Sequence, residues 1–241
     1  METQTYPVIM PAQDETFLRF TILDSTKDFK KGPIENWIMV KLRLAGVTFL
    51  RNDIVVCIDG HRYEPDLVYV DEKEGIYVDI EIDEPYTWKG RPCHCIDESG
   101  LPWDVERDKR FTGAGWMVIR ISERQIFSQT KSCIGLVASA IASLDQSFAK
   151  RNERMLQWGA PDKESRWRPE QSRTMASENF RQTYLGFKPG KINMEEVFSF
   201  ARHELSSMIR DRLPEFSNLI HYSERRFISF WGLTFVPETN I

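Results

Sequence analysis

Between Tyr77 and Asp83 the chain reads Tyr-Val-Asp-Ile-Glu-Ile-Asp, apolar residues alternating with acidic ones. Alternation at period two marks a β-strand, because successive side chains leave a strand on opposite faces. Val78, Ile80 and Ile82 are therefore expected to face a core, with Asp79, Glu81 and Asp83 aligned on the other side. Three carboxylates on one strand face repel one another, so packing alone gives no reason to collect them. A divalent cation removes the objection, since Mg²⁺ and Mn²⁺ prefer hard oxygen ligands. Upstream of this strand, Asp66 follows Glu64-Pro65 at the head of the apolar run Leu67-Val68-Tyr69-Val70.

Charge is unevenly spread along the 241 residues, whose formal net charge is −4. From Asp59 to Tyr86 ten acidic residues face two basic ones, and from Lys150 to Arg181 eight basic residues face five acidic ones. An acidic pocket beside a mildly basic flank suits a metal site acting on a polyanion gripped elsewhere; a varied solvated surface explains the same numbers. With 41% hydrophobic and 28% charged residues, the chain has the composition of a globular protein with a sizeable core. No apolar run is long enough to span a bilayer and the first residues lack a basic and apolar leader pattern, so a cytoplasmic protein without a membrane partner is expected. Four cysteines, Cys57, Cys93, Cys95 and Cys133, are too few and irregular for a disulfide framework.

In chain order, residues 1–33 hold one candidate strand, Thr16–Leu23, and a basic turn with Lys27, Lys30 and Lys31 before Gly32-Pro33. Residues 34–155 form the expected core. Ile34 to Ala45 reads as a helix, with Pro33 at its start, Ile34, Trp37, Ile38, Leu42 and Ala45 on one stripe, and Gly46 as its stop. Strand-like runs follow at Val47–Leu50, Ile54–Ile58, Leu67–Val70 and Ile76–Ile82, read as an antiparallel meander of three or four strands. A Pro-, Gly- and aromatic-rich loop fills residues 84–103. Asp104 is the expected N-cap of a helix ending at Gly113, followed by a buried strand Trp116–Ile121. Ser122-Glu123-Arg124-Gln125 has the form of a capping box, and Ser132 to Met155 reads as one long helix with a stripe through Leu136, Ala140, Leu144 and Phe148. Residues 156–241 are expected to be a mainly helical extension. Its helices are Glu170–Leu185 and Met194–Leu213, and Arg225–Phe235 closes it as an aromatic strand. That strand needs a partner, which leaves pairing with the N-terminal strand, a homodimer or a partner protein open.

The order helix with Glu35, Pro65-Asp66, Glu81-Ile82-Asp83, and Arg107-Asp108 before Gly115-Trp116-Met117-Val118-Ile119-Arg120 resembles the PD-(D/E)XK nuclease superfamily. The likeness runs from about Ile34 to Leu144 and points to the very-short-patch-repair-like endonuclease domains. It implies an α/β fold with a restriction-endonuclease-like core of helix, three-stranded meander, helix and strand. It also implies a Mg²⁺- (or Mn²⁺-) dependent endonuclease acting on DNA, with RNA open as a substrate. Asp66 and Glu81 match the metal-binding acids, and Glu35 a helix glutamate that binds metal directly or through water. Asp83 stands where many members carry a lysine that orients the attacking water, and fits there as a further metal ligand. Arg107 matches a basic residue near the phosphate. Asp79 shares the face as a reserve ligand. For Glu35, a carboxylate in the first turn of a helix is also accounted for by the helix dipole.

Further candidates surround this set. Lys109, Arg166, Arg168 and Arg173 are candidate nucleic-acid contacts, the last three beside Trp158 and Trp167; tryptophans packed back onto the core are the competing account. Cys93-His94-Cys95 resembles half a zinc site but lacks companion ligands in sequence. Gly113-Ala114-Gly115 lies after a helix and before a strand, the reverse of a dinucleotide loop. Two other functions fit the sequence: a nuclease-fold nucleic-acid-binding module that has lost chemistry at Asp83, and a structural or assembly subunit joined through the C-terminal region.

Overall fold

The computed structural model describes residues 5–13, 18–24 and 33–185. The helix expected at Met194–Leu213 and the strand at Arg225–Phe235 lie outside them. In chain order the elements begin with β1 (Thr5–Tyr6), β2 (Val8–Met10), β3 (Phe20–Asp24), α1 (Pro33–Ala45), β4 (Leu50–Arg51), β5 (Ile54–Ile58) and β6 (His61–Tyr63). Next come β7 (Leu67–Asp71), β8 (Ile76–Asp83), α2 (Val105–Gly113), β9 (Met117–Ser122), α3 (Glu123–Ser128) and α4 (Thr130–Leu144). The described part ends with α5 (Gln146–Arg151), α6 (Glu153–Leu156), β10 (Glu164–Ser165), α7 (Pro169–Ser177) and α8 (Phe180–Leu185). The chain is a mixed α/β protein. No helix among the described residues is long and apolar enough to cross a membrane.

The central sheet has the order β2-β9-β8-β7-β4. β8 runs parallel to β9 and antiparallel to β7, and β2 runs antiparallel to β9. A parallel pair needs a crossover, which the 84–103 loop and α2 provide. One sheet face carries Leu67, Tyr69, Val78, Ile80, Ile82, Met117, Ile119 and Ile121 into a core shared with Ile34, Ile38 and Leu42 of α1 and with the buried side of α4. The apolar half of the alternating strand therefore faces helices, as its period requires. At the end of α1, Gly46 has φ 120°, which an L-residue rarely tolerates.

The opposite face is also covered. A second sheet, β3-β5-β6, lays its buried Ile54, Val56 and Ile58 against Val68, Val118, Trp116 and Phe111. Ile54–Ile58 thus leaves the expected meander and pairs with β3 and β6 instead. The meander that remains in the central sheet is β4-β7-β8. Sequence pattern marks a strand but not its partner, and β5 is apolar enough for either sheet. β2, which the sequence did not announce, edges β9 through Val8↔Arg120 and Met10↔Val118.

Two expected helices are interrupted. The span 132–155 divides into α4, α5 and α6, because Asp145 accepts a hydrogen bond from the Ser147 N–H at 2.7 Å and so caps α5. The apolar stripe persists through Leu136, Ala140 and Phe148, while Leu144 is exposed. The span 170–185 divides into α7 and α8 around Asn179, whose φ is 54°. The capping box at Ser122 forms as read: its hydroxyl accepts from the Gln125 N–H and its own N–H donates to the Gln125 side chain. Residues 156–185 pack into the same unit as the core. Trp167 closes on Tyr6 and Val8, and Arg181 pairs with Glu123.

Candidate functional site

The register Leu67↔Ile80 and Val68↔Asp79, continued by one residue, sets Asp66 directly opposite Glu81. Like charges at opposed positions destabilise a strand pair. The backbone softens this in two places. The Ile82 N–H donates to Asp66 Oδ2 at 2.8 Å, and the Asp66 N–H donates to Glu81 Oε1 at 3.2 Å. Burial nonetheless pushes the Asp66 carboxyl well above its usual range, with Glu81 and Glu35 adding to the shift. Glu35, from the first turn of α1, thus reaches the same neighbourhood. Glu84, one residue past β8, joins them: burial pushes it up to about 7 against the pull of His94 and Arg181, and Glu123 and Glu35 reinforce the rise.

Arg107 enters from α2. Its guanidinium grips Asp79 with two hydrogen bonds, at 2.7 and 3.2 Å, and donates a third to Glu81 Oε1 at 2.7 Å. Burial disfavours the Glu81 charge, but Arg107 and Arg120 outweigh it and hold the carboxyl below its ordinary value. Burial pushes Asp79 up to about 7 despite Arg107, and Glu81 beside it adds to the rise. The guanidinium also lies over the Phe111 ring, 4.4 Å from its centroid. Arg107 is therefore occupied in fixing Glu81 from within, rather than turned toward solvent as a phosphate contact would be.

Asp83 goes to a different set of partners. Its Oδ1 accepts from Arg120 at 2.6 Å, and its Oδ2 from the Tyr6 hydroxyl at 2.9 Å and from Arg166 at 3.4 Å. Arg120, fully buried, also holds Asp108 through Nε and Nη2. His94 Nδ1 lies 3.3 Å from Asp83 and 3.1 Å from Asp104. Burial would lower the His94 pKa, but Asp83, Asp104 and Glu84 raise it to about 10. Asp83, expected as a metal ligand, lies in an ionic network in which both of its oxygens have partners. Asp104 precedes α2 as expected but makes no side-chain cap. Its carboxylate turns to His94, Arg120 and Arg166 instead.

The basic candidates separate in the same way. Arg166 is buried against Asp83 and lies over the Tyr6 ring, so it is a structural cation rather than a nucleic-acid contact. Trp167 is buried and Trp158 packs against the main core, the competing account of those tryptophans. Lys109, Arg168 and Arg173 are exposed. Lys109 meets Glu106 at 3.0 Å and Arg173 meets Glu170 at 3.5 Å, surface pairs too weak to hold either side chain from a ligand.

The structure therefore brings together Asp66, Glu81 and Glu35, adds Glu84, and sets Asp83 and Arg166 apart. Glu84 escaped the sequence reading because the alternation ends at Asp83; its signal was its place directly after Glu81-Ile82-Asp83. Comparison with protein-family models, curated proteins and solved structures finds no match to this chain.

Proposed function

We propose that the protein is a metal-dependent endonuclease that hydrolyses phosphodiester bonds in DNA, built on a restriction-endonuclease-like core. The observation that carries this reading is the opposition of Asp66 and Glu81 across β7 and β8, with Glu35 and Glu84 close enough to raise the charge further. Arg107 and Arg120 relieve Glu81, but Asp66 and Glu84 stay raised; a bound cation would lower that cost, and an all-oxygen donor set suits Mg²⁺ or Mn²⁺. Held by Asp66 and Glu81 with Glu35 in support, the cation would polarise a phosphate and lower the pKa of an attacking water. Arg107 fixes the Glu81 carboxylate so that the donor set is preorganised, as partners behind metal ligands commonly do. Lys109, Arg168 and Arg173 are exposed cations that would attract the polyanion. RNA remains open as a substrate, since none of these contacts reads a sugar or a base.

A second reading has its own observation. No lysine stands on β8, and position 83 is locked into the Arg120 network, so a nucleic-acid-binding module without chemistry would keep the same fold. The deciding experiment is cleavage of supercoiled plasmid, linear duplex and single-stranded DNA, and single-stranded RNA, with Mg²⁺, Mn²⁺ or EDTA. Metal-dependent cutting that disappears in Asp66→Asn and Glu81→Gln supports the nuclease. Metal-independent nucleic-acid binding by a folded, non-cutting protein supports the binding module. A stable oligomer without nucleic-acid affinity would favour the assembly subunit.

A further inference from the structure

The parallel strands β8 and β9 end together, with Asp83 beside Ser122 in their register, and α3 begins at that point. Between α3, α8 and residues 162–164 lies an open pocket of about 430 Å³, of the size that small ligands occupy. Two half-buried rings line it, Phe180 and Tyr184, whose centroids are 5.7 Å apart at an interplanar angle of 72°. The Arg124 guanidinium lies over Phe180, 5.9 Å from the ring centroid. Glu164 holds that guanidinium at 3.0 Å, and its other oxygen accepts from the Ser122 hydroxyl. Tyr184 is fixed in turn, donating its hydroxyl to Glu123 at 2.6 Å. Glu123 is one of the charges acting on Glu84, so the pocket adjoins the carboxylate cluster.

We propose that this pocket takes one unpaired nucleobase of the DNA that the carboxylates would cut, an inference that rests on the nuclease reading. Charge decides against a phosphate in the pocket. Arg124 and Lys163 are offset there by Asp162 and Glu164, so the lining has no formal excess of either sign and favours a neutral group over an anion. Shape decides for a flat group. A base sandwiched between a guanidinium and a ring needs two stacking spacings of about 3.4 Å, roughly 7 Å in all. The 5.9 Å between Arg124 and Phe180 reaches that with a shift of about 1 Å, which the exposed Arg124 side chain permits. The edge of the base would meet Gln129. The side-chain oxygen of Gln129 already accepts from the Asp162 N–H at 2.8 Å. Its amide nitrogen has no partner among the described residues and can donate, and every base carries an acceptor for such a donor. A paired and stacked base hides its faces, so the pocket would select DNA in which a nucleotide stands outside the helix.

The test is fluorescence anisotropy with the full chain in Ca²⁺, which prefers the same oxygen donors as Mg²⁺. Three labelled DNA duplexes are compared: one fully paired, one with a single bulged deoxyadenosine, and one with an abasic residue in the bulge. The two bulges share backbone and charge and differ only in the base. The wild type should bind the deoxyadenosine bulge more tightly than the abasic one by roughly 5- to 150-fold, the worth of one base stacked on an aromatic side chain. Phe180→Leu keeps an apolar side chain but loses the flat face, and should bind the two bulges alike. Because that variant can fail to fold, its circular dichroism is compared with the wild type's, and the wild-type comparison of the two bulges stands without it. Equal affinity of the wild type for the two bulges, or a preference that survives in folded Phe180→Leu, would overturn the inference and leave the nuclease reading intact. Absence of binding to all three duplexes would overturn both.

Discussion

Asp66 and Asp83 flank the same end of the β7–β8 pair, yet the chain surrounds them differently. Asp83 meets Arg120, Arg166, His94 and the Tyr6 hydroxyl. Asp66 meets a backbone N–H and the charges of Glu81, Glu35 and Glu84. Among the described residues around Asp83, four carboxylates (Asp79, Asp83, Asp104, Asp108) each meet at least one of four cations (Arg107, Arg120, Arg166, His94), although Asp79 stays raised to about 7. Cations that reach the other cluster include Arg107, Arg120, His94 and Arg181, and these are shared with carboxylates outside it: Arg107 with Asp79, Arg120 with Asp83 and Asp108, His94 with Asp104, Arg181 with Glu123. A buried charge balanced in place is structural. A cluster in which burial and neighbouring carboxylates hold Asp66 and Glu84 above their usual range costs stability, and a reason to retain that cost is a ligand that relieves it.

The largest effect should come from breaking the balanced side. Arg120→Met removes the shortest partner of Asp83 and all of the hydrogen bonds that Arg120 makes to Asp108, and removing one partner of a buried pair costs about 3–5 kcal/mol. Urea denaturation should show that loss, and a variant as stable as the wild type would undo the distinction between the clusters. On the other side, the same kind of change should affect activity rather than folding. Asp66→Asn and Glu81→Gln should each lower metal-dependent cleavage by more than about 100-fold, since even groups behind the ligands are worth roughly 10–100-fold. Asp66→Asn should meanwhile stabilise the metal-free protein by about 0.2–1 kcal/mol, the scale of one opposed like-charge pair. Arg107→Lys keeps the charge but loses the fork that grips Asp79 and Glu81 together, and initial-rate measurements should show a loss of about 10–100-fold.

The pH response separates the clusters further. Glu84 is raised from the usual 4.5 to about 7, and Asp66 is raised as well. The folded state then holds protons that the unfolded state has released, so the metal-free protein should lose stability as pH rises from about 4.5 to about 7. His94, raised from 6.5 to about 10, contributes stability that is full below 6.5 and fades as pH climbs toward 10. Thermal melts in EDTA should therefore fall across both windows, with Glu84→Gln reducing mainly the lower fall, to which Asp66 and Asp79 also contribute. Mg²⁺ should raise the melting temperature more at pH 8 than at pH 5. The smallest effect is expected at Lys109→Ala, whose exposed pair with Glu106 contributes under about 1 kcal/mol; it should leave melting unchanged and weaken DNA binding in a salt-dependent way.

How much of this was legible in the sequence follows from the range of each interaction. The alternation at residues 77–83 assigned both faces of β8 correctly, because period two is a local property and Val78, Ile80 and Ile82 had only one core to enter. The opposition of Asp66 and Glu81 was not read from the sequence, although the hairpin that makes it is short. The cover over the acidic face was not legible. Arg120, Arg166 and Tyr6 reach Asp83 from 37, 83 and 77 residues away, and nothing in their own neighbourhoods marks them as its partners. Arg166 in particular sits in a run that reads equally well as a nucleic-acid grip. The departure of β5 to a second sheet has the same origin, since strand pattern does not name a partner. The break at Asp145 was hidden by the apolar stripe that continues through it to Phe148; a capping carboxylate outranked the periodicity.

The most direct test of the comparison is Mn²⁺ binding, measured by isothermal titration calorimetry on metal-stripped wild type, Asp66→Asn and Asp83→Asn, each verified as folded by circular dichroism. The account predicts that the wild type and Asp83→Asn bind Mn²⁺ alike, while Asp66→Asn loses binding by at least about tenfold. Loss in Asp83→Asn with retention in Asp66→Asn would contradict it.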